Sequence, residues 1–468
     1  MAPKKKSKNE QLQEKLVYDR ESTWLSYKPA DMKKVFAFSE KYKDFLSSSK
    51  TERLCTANVI SALTKSGFKN ISSVKKAKPF DKLFKVFKNK TVIAFIVGKN
   101  PEDVHIIGSH MDSPRLDLKP LPLYEDADLA LLQSHYYGGV KKYHWVNLPL
   151  ALHGVIFTKK GKKVTLSIGE KDSEPKFLIP DLLPHLGRDQ LDRKGSKVVS
   201  GEELNIVVGS LPVNDKAIKE QVKFAILKKL HEDYGLIEED FATAELEFVP
   251  ASKAVDVGFD RSLIGAYGQD DKVCVYTSLQ ALLSISNPSK TAVALFVDKE
   301  EIGSVGDTGA DSFILKTFAE DYVKLLGLKI TSNKILELAK AISADVTAGL
   351  NPNYKDVQDS QNVSFLGHGV SVEKYGGGGG KYSTNDAHAE YMSFIRLLVD
   401  KHKVPWQTGE MGKIDIGGGG TIAMFMSRYG MDTVDVGPCV LGMHSPCELT
   451  SKSDVYSAYL FYKAFFEA

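Results

Sequence analysis

The chain has 468 residues, of which 43% are hydrophobic and 26% are charged, so it is long enough for two or three domains with sizeable cores. Its formal net charge is only +3, which gives no strong attraction to nucleic acid or to anionic lipid, and neither partner is predicted. The dense basic run within residues 4–8 lies in a polar segment and is predicted to be a disordered tail.

The four cysteines are too few and too irregularly spaced for a disulfide framework or a cysteine-rich zinc module. Reduced thiols in a cytoplasmic protein are therefore predicted. The charged N-terminus is not followed by an apolar segment, and no stretch approaches about 18 consecutive apolar residues. The sequence predicts neither a secretory signal nor a membrane span.

Helical periodicity predicts two helices within residues 31–66, the first capped by Asp31 and the second opened by Thr51 and ended by Gly67. Three apolar segments follow, at residues 83–87, 91–97 and 104–108. Their patterns predict an edge strand followed by two central strands.

Residues 113–255 differ in composition from the preceding segments and are richer in Pro and Lys. They contain short strand patterns and a helical stretch near residues 215–234. The long apolar strand Ala292–Val297 comes only after this segment, and helix and strand patterns then alternate to the C-terminus. The predicted fold class is α/β. We expect a layered catalytic domain with a mostly parallel central sheet, formed by residues 1–112 and 256–468, and an inserted β-rich domain, residues 113–255.

Glu300 and Glu301 follow the strand Ala292–Val297 directly. Two adjacent carboxylates beside a buried strand repel each other and lose hydration, so a positive or protonated group is expected next to them. A metal ion is the leading candidate, although acidic pairs on exposed loops are common.

Other candidate ligands also lie where predicted strands or helices begin or end. His110 and Asp112 follow the strand at 104–108, and a carboxylate in that position can accept the second ring N–H of a metal-bound histidine. Asp270 precedes a helical run, Asp345 ends a helix-to-strand passage, and His444 precedes the C-terminal helix. Each has an ordinary alternative as a helix cap, turn residue or ion-pair partner.

Together these residues suit two zinc-like ions, with two imidazoles and three carboxylates as ligands and one carboxylate bridging. Glu300 is then not needed as a ligand. A spare carboxylate next to a metal-activated water is a natural general base, so the set indicates metal-assisted hydrolysis.

Six segments in this order resemble those of the M18 family of zinc aminopeptidases, which includes the aspartyl aminopeptidases and the vacuolar aminopeptidase I of yeast. They are Gly108-Ser-His-Met-Asp-Ser-Pro114, Asp270-Asp271, Val297-Asp-Lys-Glu-Glu-Ile-Gly-Ser304, Ser343-Ala-Asp345, Asn351-Pro-Asn-Tyr354 and Met443-His-Ser445. The resemblance implies a zinc-exopeptidase type of catalytic domain, a peptide substrate with a free N-terminus and two Zn²⁺ per subunit, with Co²⁺ or Mn²⁺ as alternatives. It also implies a large homo-oligomer, usually a dodecamer, whose inserted domain mediates dimerisation.

Carried over by position, the resemblance implies that one metal is held by His110, Asp270 and Asp345. The other is held by Asp270, Glu301 and His444. Asp112 orients His110, and Glu300 is the general base and acid.

Leu150-Ala-Leu-His153 resembles a family segment whose histidine reaches a neighbouring subunit's active site. His153 is therefore a candidate for stabilising the tetrahedral intermediate. A buried core histidine is the alternative.

Three departures from the aspartyl aminopeptidases bear on specificity. Ala348 stands where those enzymes have a histidine, Asp271 replaces the usual asparagine, and glycines flank Lys381-Tyr382 in place of polar and basic residues. Recognition of an acidic side chain needs a well-placed cation, so a preference for Asp or Glu is not predicted.

Two alternatives to a metalloaminopeptidase stay open. One is a related di-zinc carboxypeptidase or deacylase, and the other is a non-catalytic assembly protein that retains the fold. The presence of Glu300, which catalysis needs and ligation does not, disfavours the second.

Overall fold

The structure is a computed structural model that describes residues 6–18 and 20–468. The helices of these residues are, in chain order, α1 (Lys8–Leu16), α2 (Thr23–Ser26), α3 (Pro29–Ser48), α4 (Glu52–Lys65), α5 (Arg188–Leu191), α6 (Gln221–Tyr234), α7 (Gln269–Ser284), α8 (Ile314–Leu326), α9 (Ser332–Leu338), α10 (Ala389–His402), α11 (Ala423–Ser427) and α12 (Lys452–Glu467). The strands are β1 (Lys69–Asn70), β2 (Lys82–Phe87), β3 (Thr91–Ile96), β4 (Asn100–His110), β5 (Arg115–Asp126), β6 (Leu129–Tyr137), β7 (Leu150–Phe157), β8 (Lys163–Ile168), β9 (Ile206–Gly209), β10 (Glu245–Pro250), β11 (Val255–Val257), β12 (Leu263–Ala266), β13 (Lys290–Val297), β14 (Lys340–Ser343), β15 (Thr347–Ala348), β16 (Val370–Glu373), β17 (Trp406–Thr408), β18 (Asp432–Gly437), β19 (Cys439–Leu441) and β20 (Glu448–Ser451).

A nine-stranded sheet, in the order β1-β2-β3-β13-β4-β14-β18-β16-β17, forms the centre of the molecule. The four neighbouring strands β13, β4, β14 and β18 are parallel, whereas the β2–β3, β3–β13 and β16–β18 pairs are antiparallel. The predicted α/β fold with a mostly parallel central sheet is confirmed.

The strand β13 shows why this sheet is covered on both faces. Ala292, Ala294 and Phe296 pack into one core with α7 and α12, and the alternating residues Val293, Leu295 and Val297 pack into a second core with α8 and α9. Side chains of a strand alternate between its faces, so a uniformly apolar strand needs a layer of helices on each side.

Two predicted details at the start of the chain are wrong. The segment at 83–87 is not the edge strand, because β1 pairs in parallel outside β2. Asp31 is not a helix cap, because α3 already begins at Pro29, and proline favours the first helical position. Thr51 does cap α4, its hydroxyl accepting from the Leu54 backbone N–H.

The predicted disordered tail falls partly outside the described residues. Residues 4 and 5 are among those not described, and Lys8 begins α1, which Ser7 and Glu10 cap reciprocally. None of the helices within residues 6–18 and 20–468 is long and apolar enough to span a membrane. All four cysteines are free thiols.

Two further sheets complete the described chain. A six-stranded antiparallel sheet, β8-β7-β10-β5-β6-β9, is formed by residues that lie in sequence between β4 and β13 of the central sheet. A five-stranded sheet, β11-β12-β20-β19-β15, contains the turn with His444. The predicted division into a catalytic domain and an inserted domain stays a prediction.

Candidate metal centre

The candidate ligands lie at the carboxyl ends of the central parallel strands. His110 is the last residue of β4 and pairs with Val297 at the end of β13, while Asp345 follows the end of β14 by two residues. Because β13, β4 and β14 are parallel neighbours, their carboxyl ends meet at one edge of the sheet. Asp270 in the first turn of α7 and His444 in the β19–β20 turn reach the same edge.

The five predicted ligands form two groups that share Asp270. In the first, His110 Nε2 lies 3.1 Å from Asp270 Oδ1 and 3.8 Å from Asp345 Oδ1. In the second, His444 Nε2 lies 3.2 Å from Asp270 Oδ2 and 3.3 Å from Glu301 Oε2. The two oxygens of Asp270 thus face different histidines, which is the arrangement that a bridging carboxylate requires.

The charge distribution of the cluster suits cations. Burial and the neighbouring Asp270 carboxylate raise the pKa of Glu301 well above its usual range. Burial opposes protonation of His444, but Asp270 and Glu301 raise its pKa to about 10. The Oε1 atom of Glu301 is buried and has no hydrogen-bond partner among the described residues. Clustered carboxylates with an orphaned buried oxygen fit a divalent metal, which would replace the protons that these pairs otherwise share.

Glu300 lies beside the cluster without belonging to either group. Its Oε2 atom is 3.8 Å from His110 Nε2. Burial raises the pKa of Glu300 to about 8, with the nearby Asp345 and Asp112 carboxylates acting in the same direction. A carboxyl group with a pKa in this range can exchange a proton at neutral pH.

Asp112 contacts both the histidine and the Glu300–Glu301 turn. Its backbone carbonyl accepts from His110 Nδ1 at 3.1 Å, and its Oδ1 lies 3.3 Å from the same nitrogen, so Asp112 contacts this ring through both groups. It also accepts from the backbone N–H groups of Glu300 at 3.2 Å and Glu301 at 3.1 Å. The Tyr137 hydroxyl donates to Asp112 Oδ2 at 2.9 Å. The sequence did not predict the turn contacts or the role of Tyr137.

Two buried carboxylates near the cluster were not among the predicted ligands. Glu448 accepts from the backbone N–H of His444 at 2.8 Å and from that of Asp270 at 3.1 Å. Asp271 accepts from the His110 backbone N–H at 3.3 Å. Among the described residues, two sets have ligand atoms close enough to hold one ion: His110, Asp271 and Asp345, and His110, Asp270 and Glu301. The signal available for Glu448 was an acidic residue four residues after a predicted ligand.

His153 is placed on β7 of the six-stranded sheet and not beside the ligands of its own chain. Its Nε2 lies 2.8 Å from Glu170 Oε1, and the residue is 2% exposed. Glu170 also pairs with Lys50 at 2.8 Å. The Nδ1 atom of His153 is buried and has no hydrogen-bond partner among the described residues, so only one nitrogen of the ring is paired. The role of His153 in a neighbouring subunit stays a prediction.

Lys381, in the glycine-rich segment at residues 376–382, forms an ion pair within the chain. Its Nζ atom lies 3.0 Å from Asp386 Oδ2 and 3.8 Å from the centre of the Tyr375 ring. Because Asp386 is its ion-pair partner, Lys381 does not offer an unpaired positive charge to an acidic substrate side chain.

An α/β sheet whose parallel strands end at clustered imidazoles and carboxylates is typical of metal-dependent hydrolases. A sequence model of the family described as Aminopeptidase I zinc metalloprotease (M18) matches residues 45–466. The chain therefore belongs to the M18 family of zinc aminopeptidases, which makes it a peptide hydrolase.

Known proteins similar to the chain agree with this assignment. The probable M18 family aminopeptidase 1 of Borreliella afzelii is 47% identical over 456 residues, which cover 96% of this chain and 99% of the relative. The crystal structure of the M18 aminopeptidase from Thermotoga maritima has a TM-score of 0.93 at 44% identity and covers 96% of this chain and 100% of that one. The structure of the mApe1 dodecamer of S. cerevisiae has a TM-score of 0.73 at 20% identity, with coverage of 91% and 95%, and shows the fold alone.

Proposed function

We propose that this chain is an aminopeptidase that uses two metal ions and takes Glu300 as its general base. The observation that carries the proposal is that Asp270 presents one oxygen to His110 and the other to His444, at 3.1 and 3.2 Å. His110, Asp270 and Asp345 would hold one ion, and Asp270, Glu301 and His444 the other. This mixture of nitrogen and oxygen ligands suits Zn²⁺, with Co²⁺ or Mn²⁺ as alternatives.

When bound, such ions polarise the scissile carbonyl and lower the pKa of water. Glu300 takes the proton of the attacking water and delivers it to the nitrogen of the leaving peptide. Asp112 keeps Glu300 in place by accepting from its backbone N–H, and it orients His110. The buried carboxylates attract the substrate's free α-ammonium group, which restricts cleavage to the first peptide bond.

Chelation and substitution test this mechanism. We expect exhaustive chelation to abolish hydrolysis of aminoacyl amides, and Zn²⁺, Co²⁺ or Mn²⁺ to restore it. Glu300→Gln should keep its metal and lose at least about 100-fold in kcat, which is the contribution expected from a general base. Glu301→Gln should mainly weaken metal binding.

The exposed Glu337→Gln is the matched control and should behave as the wild type. Activity that survives both chelation and Glu300→Gln would overturn the mechanism.

The choice of substrate distinguishes an aminopeptidase from a related carboxypeptidase or deacylase. An aminopeptidase should cleave peptides with a free N-terminus and ignore the same peptides after N-acetylation. Cleavage of the blocked peptides would favour the alternative. Stoichiometric metal without turnover of any peptide would favour a non-catalytic assembly protein.

We also propose a cytoplasmic homo-oligomer, with the dodecamer as the expected state and residues 113–255 mediating dimerisation. Support comes from the free and exposed Cys447, which suits a reducing compartment, and from the dodecamer found for S. cerevisiae mApe1. Leu182, Leu183, Leu186 and Leu191 are each about half exposed or more, which is typical of a contact surface. Light scattering that found a stable monomer would contradict the proposal.

A further inference from the structure

The six-stranded sheet contributes one side chain to the surroundings of the metal centre. Tyr137, the last residue of β6, donates its hydroxyl proton to Asp112 Oδ2 at 2.9 Å. The same oxygen accepts from the Glu301 backbone N–H at 3.1 Å, and the other oxygen faces His110 and the Glu300 backbone N–H. Asp112 is therefore held by contacts with His110, with the Glu300–Glu301 turn and with Tyr137. Of these three, Tyr137 belongs to the six-stranded sheet.

The ring of Tyr137 is itself held in position. The guanidinium carbon of Arg115 lies 3.8 Å from the centre of the ring, within the range of a cation–π contact. Arg115 is 5% exposed and is fixed by Asp117 at 2.8 Å, Glu52 at 3.3 Å and Glu247 at 3.4 Å. A buried guanidinium with three carboxylate partners has little freedom to move, so the ring beneath it has a fixed position.

We propose that Tyr137 is a positioning residue of the metal centre. Its hydroxyl holds Asp112 in the orientation that aims His110 at the metal and fixes the Glu300–Glu301 turn. The six-stranded sheet thereby takes part in metal binding within its own subunit, in addition to any contact that it makes with other subunits. This inference rests on the proposed two-metal function.

Partners that orient a metal-binding histidine commonly contribute a factor of about 10 to 100 in metal affinity or activity. Tyr137→Phe removes the hydroxyl and keeps the ring beneath Arg115. We expect its affinity for Zn²⁺ and Co²⁺, measured by competition with a chromophoric chelator, to fall about tenfold. The visible spectrum of the Co²⁺ protein should change, because the His110 ring is no longer held. Turnover by the fully loaded enzyme should fall in kcat more than in KM.

Tyr136→Phe is the matched control, since Tyr136 is the preceding residue of the same strand and is 40% exposed. It should leave affinity, spectrum and turnover unchanged. Circular dichroism and urea unfolding of the metal-free variants will show whether the Tyr137→Phe chain is folded.

A double-mutant cycle separates positioning from general stabilisation. If Tyr137 acts through Asp112, Tyr137→Phe should have no further effect on metal affinity in an Asp112→Ala background. Effects that simply add would show that Tyr137 acts independently of Asp112 and would overturn the inference.

Arg115→Lys tests the same interaction in a second way. It keeps the buried positive charge and removes the planar guanidinium group above the Tyr137 ring. It should weaken metal binding in the same direction as Tyr137→Phe. If Tyr137→Phe does not fold, wild-type affinity in Arg115→Lys overturns the inference.

The results that would contradict the proposed function differ from those that would contradict the role of Tyr137. A wild-type protein without metal-dependent turnover would contradict the proposed function. A metal-dependent wild type with a Tyr137→Phe variant of unchanged affinity, spectrum and kcat would contradict only the role of Tyr137.

Discussion

Asp112 and Glu448, which are not predicted ligands, accept hydrogen bonds from the backbone of residues in the candidate cluster. Asp112 accepts from the backbone N–H groups of Glu300 and Glu301, and Glu448 accepts from those of His444 and Asp270. These four hydrogen bonds fix the chain on both sides of the cluster. The ligands are thus held close together before a metal arrives, which reduces the ordering cost of binding it.

Glu448→Gln tests this arrangement at a single residue. The amide has one acceptor atom and one donor atom, so it can satisfy only one of the two backbone N–H groups and places its NH₂ against the other. We expect metal affinity to fall about tenfold. The free energy of unfolding of the metal-free protein should fall by about 1 to 3 kcal/mol, because a buried donor loses its partner.

Chelator competition and urea unfolding measure the two effects. The control is Glu337→Gln on the surface of α9, which should change neither quantity. Wild-type metal affinity in Glu448→Gln would show that the backbone of His444 does not need this acceptor.

At the residue scale, local sequence patterns identified candidate ligands that the structure brings together, but they did not identify the residues that hydrogen-bond to them. His110, Glu301 and Asp345 follow apolar strands, and that local signal is strong. Glu448 and Tyr137 act through backbone and side-chain contacts with segments distant in the chain. Local patterns do not contain such information, because these contacts depend on which strands become neighbours.

At the element scale, strand β5 was not predicted from the sequence, because prolines within a segment count against a strand. Its sequence contains Pro120 and Pro122, which argue against a regular strand because proline cannot donate to a ladder. In the structure the pairing of β5 with β6 shifts register between Leu118 and Leu123, and the prolines lie in that irregular stretch. The strand continues on both sides of the irregularity, so the prolines interrupt the ladder locally and do not end the strand.

The packing of α12 against β4 should depend on pH through His105. The ring is buried, its Nδ1–H donates to the Phe465 carbonyl at 2.7 Å, and it stacks on the Phe465 ring. Burial lowers the pKa of His105 to about 4 from its ordinary value of 6.5, and the neighbouring Lys290 acts in the same direction. Between these two values the unfolded chain binds a proton that the folded chain does not.

His105 should therefore make the protein less stable as the pH falls from about 6.5 to about 4, by at most about 1.4 kcal/mol per pH unit. His105→Asn keeps a donor near the Phe465 carbonyl and cannot titrate in this range. We expect the variant to lose less unfolding free energy than the wild type between pH 7 and pH 4.5, as measured by urea denaturation. Parallel pH curves for the two proteins would contradict this assignment.

At the scale of the whole molecule, a buried ionic network joins the six-stranded sheet to the rest of the chain. Glu52 of α4 is fully buried and pairs with Lys90 at 2.9 Å and with Arg115 at 3.3 Å, and Arg115 pairs with Glu247 of β10. Removing Glu52 takes one carboxylate partner from each of two largely buried cations, Lys90 and Arg115.

Glu52→Gln should lower the free energy of unfolding by about 3 kcal/mol or more, because the positive charges of Lys90 and Arg115 stay buried. Glu245→Gln is the control, since Glu245 also contacts Lys90 but its side chain is 47% exposed. Its cost should stay below about 1 kcal/mol. Urea unfolding of both variants measures the difference, and equal costs would argue against burial as the decisive factor.

The sequence predicted the general arrangement of the central sheet because the apolar segments at residues 91–97 and 292–297 stand out clearly, and they form most of β3 and β13. It also indicated that β13 returns to that sheet after a stretch of different composition, and β13 does pair with β3 and β4. The ionic network could not be predicted, since Glu52 reads as an ordinary acidic residue in the first turn of a helix.

The candidate ligands extend along the chain from residue 110 to residue 444 and come from five separate segments. A single cut in the chain between the first and the last of them divides the set, so neither fragment alone can assemble the centre. Fragments that separate after such a cut would therefore lack the candidate centre and could not hydrolyse neighbouring peptides.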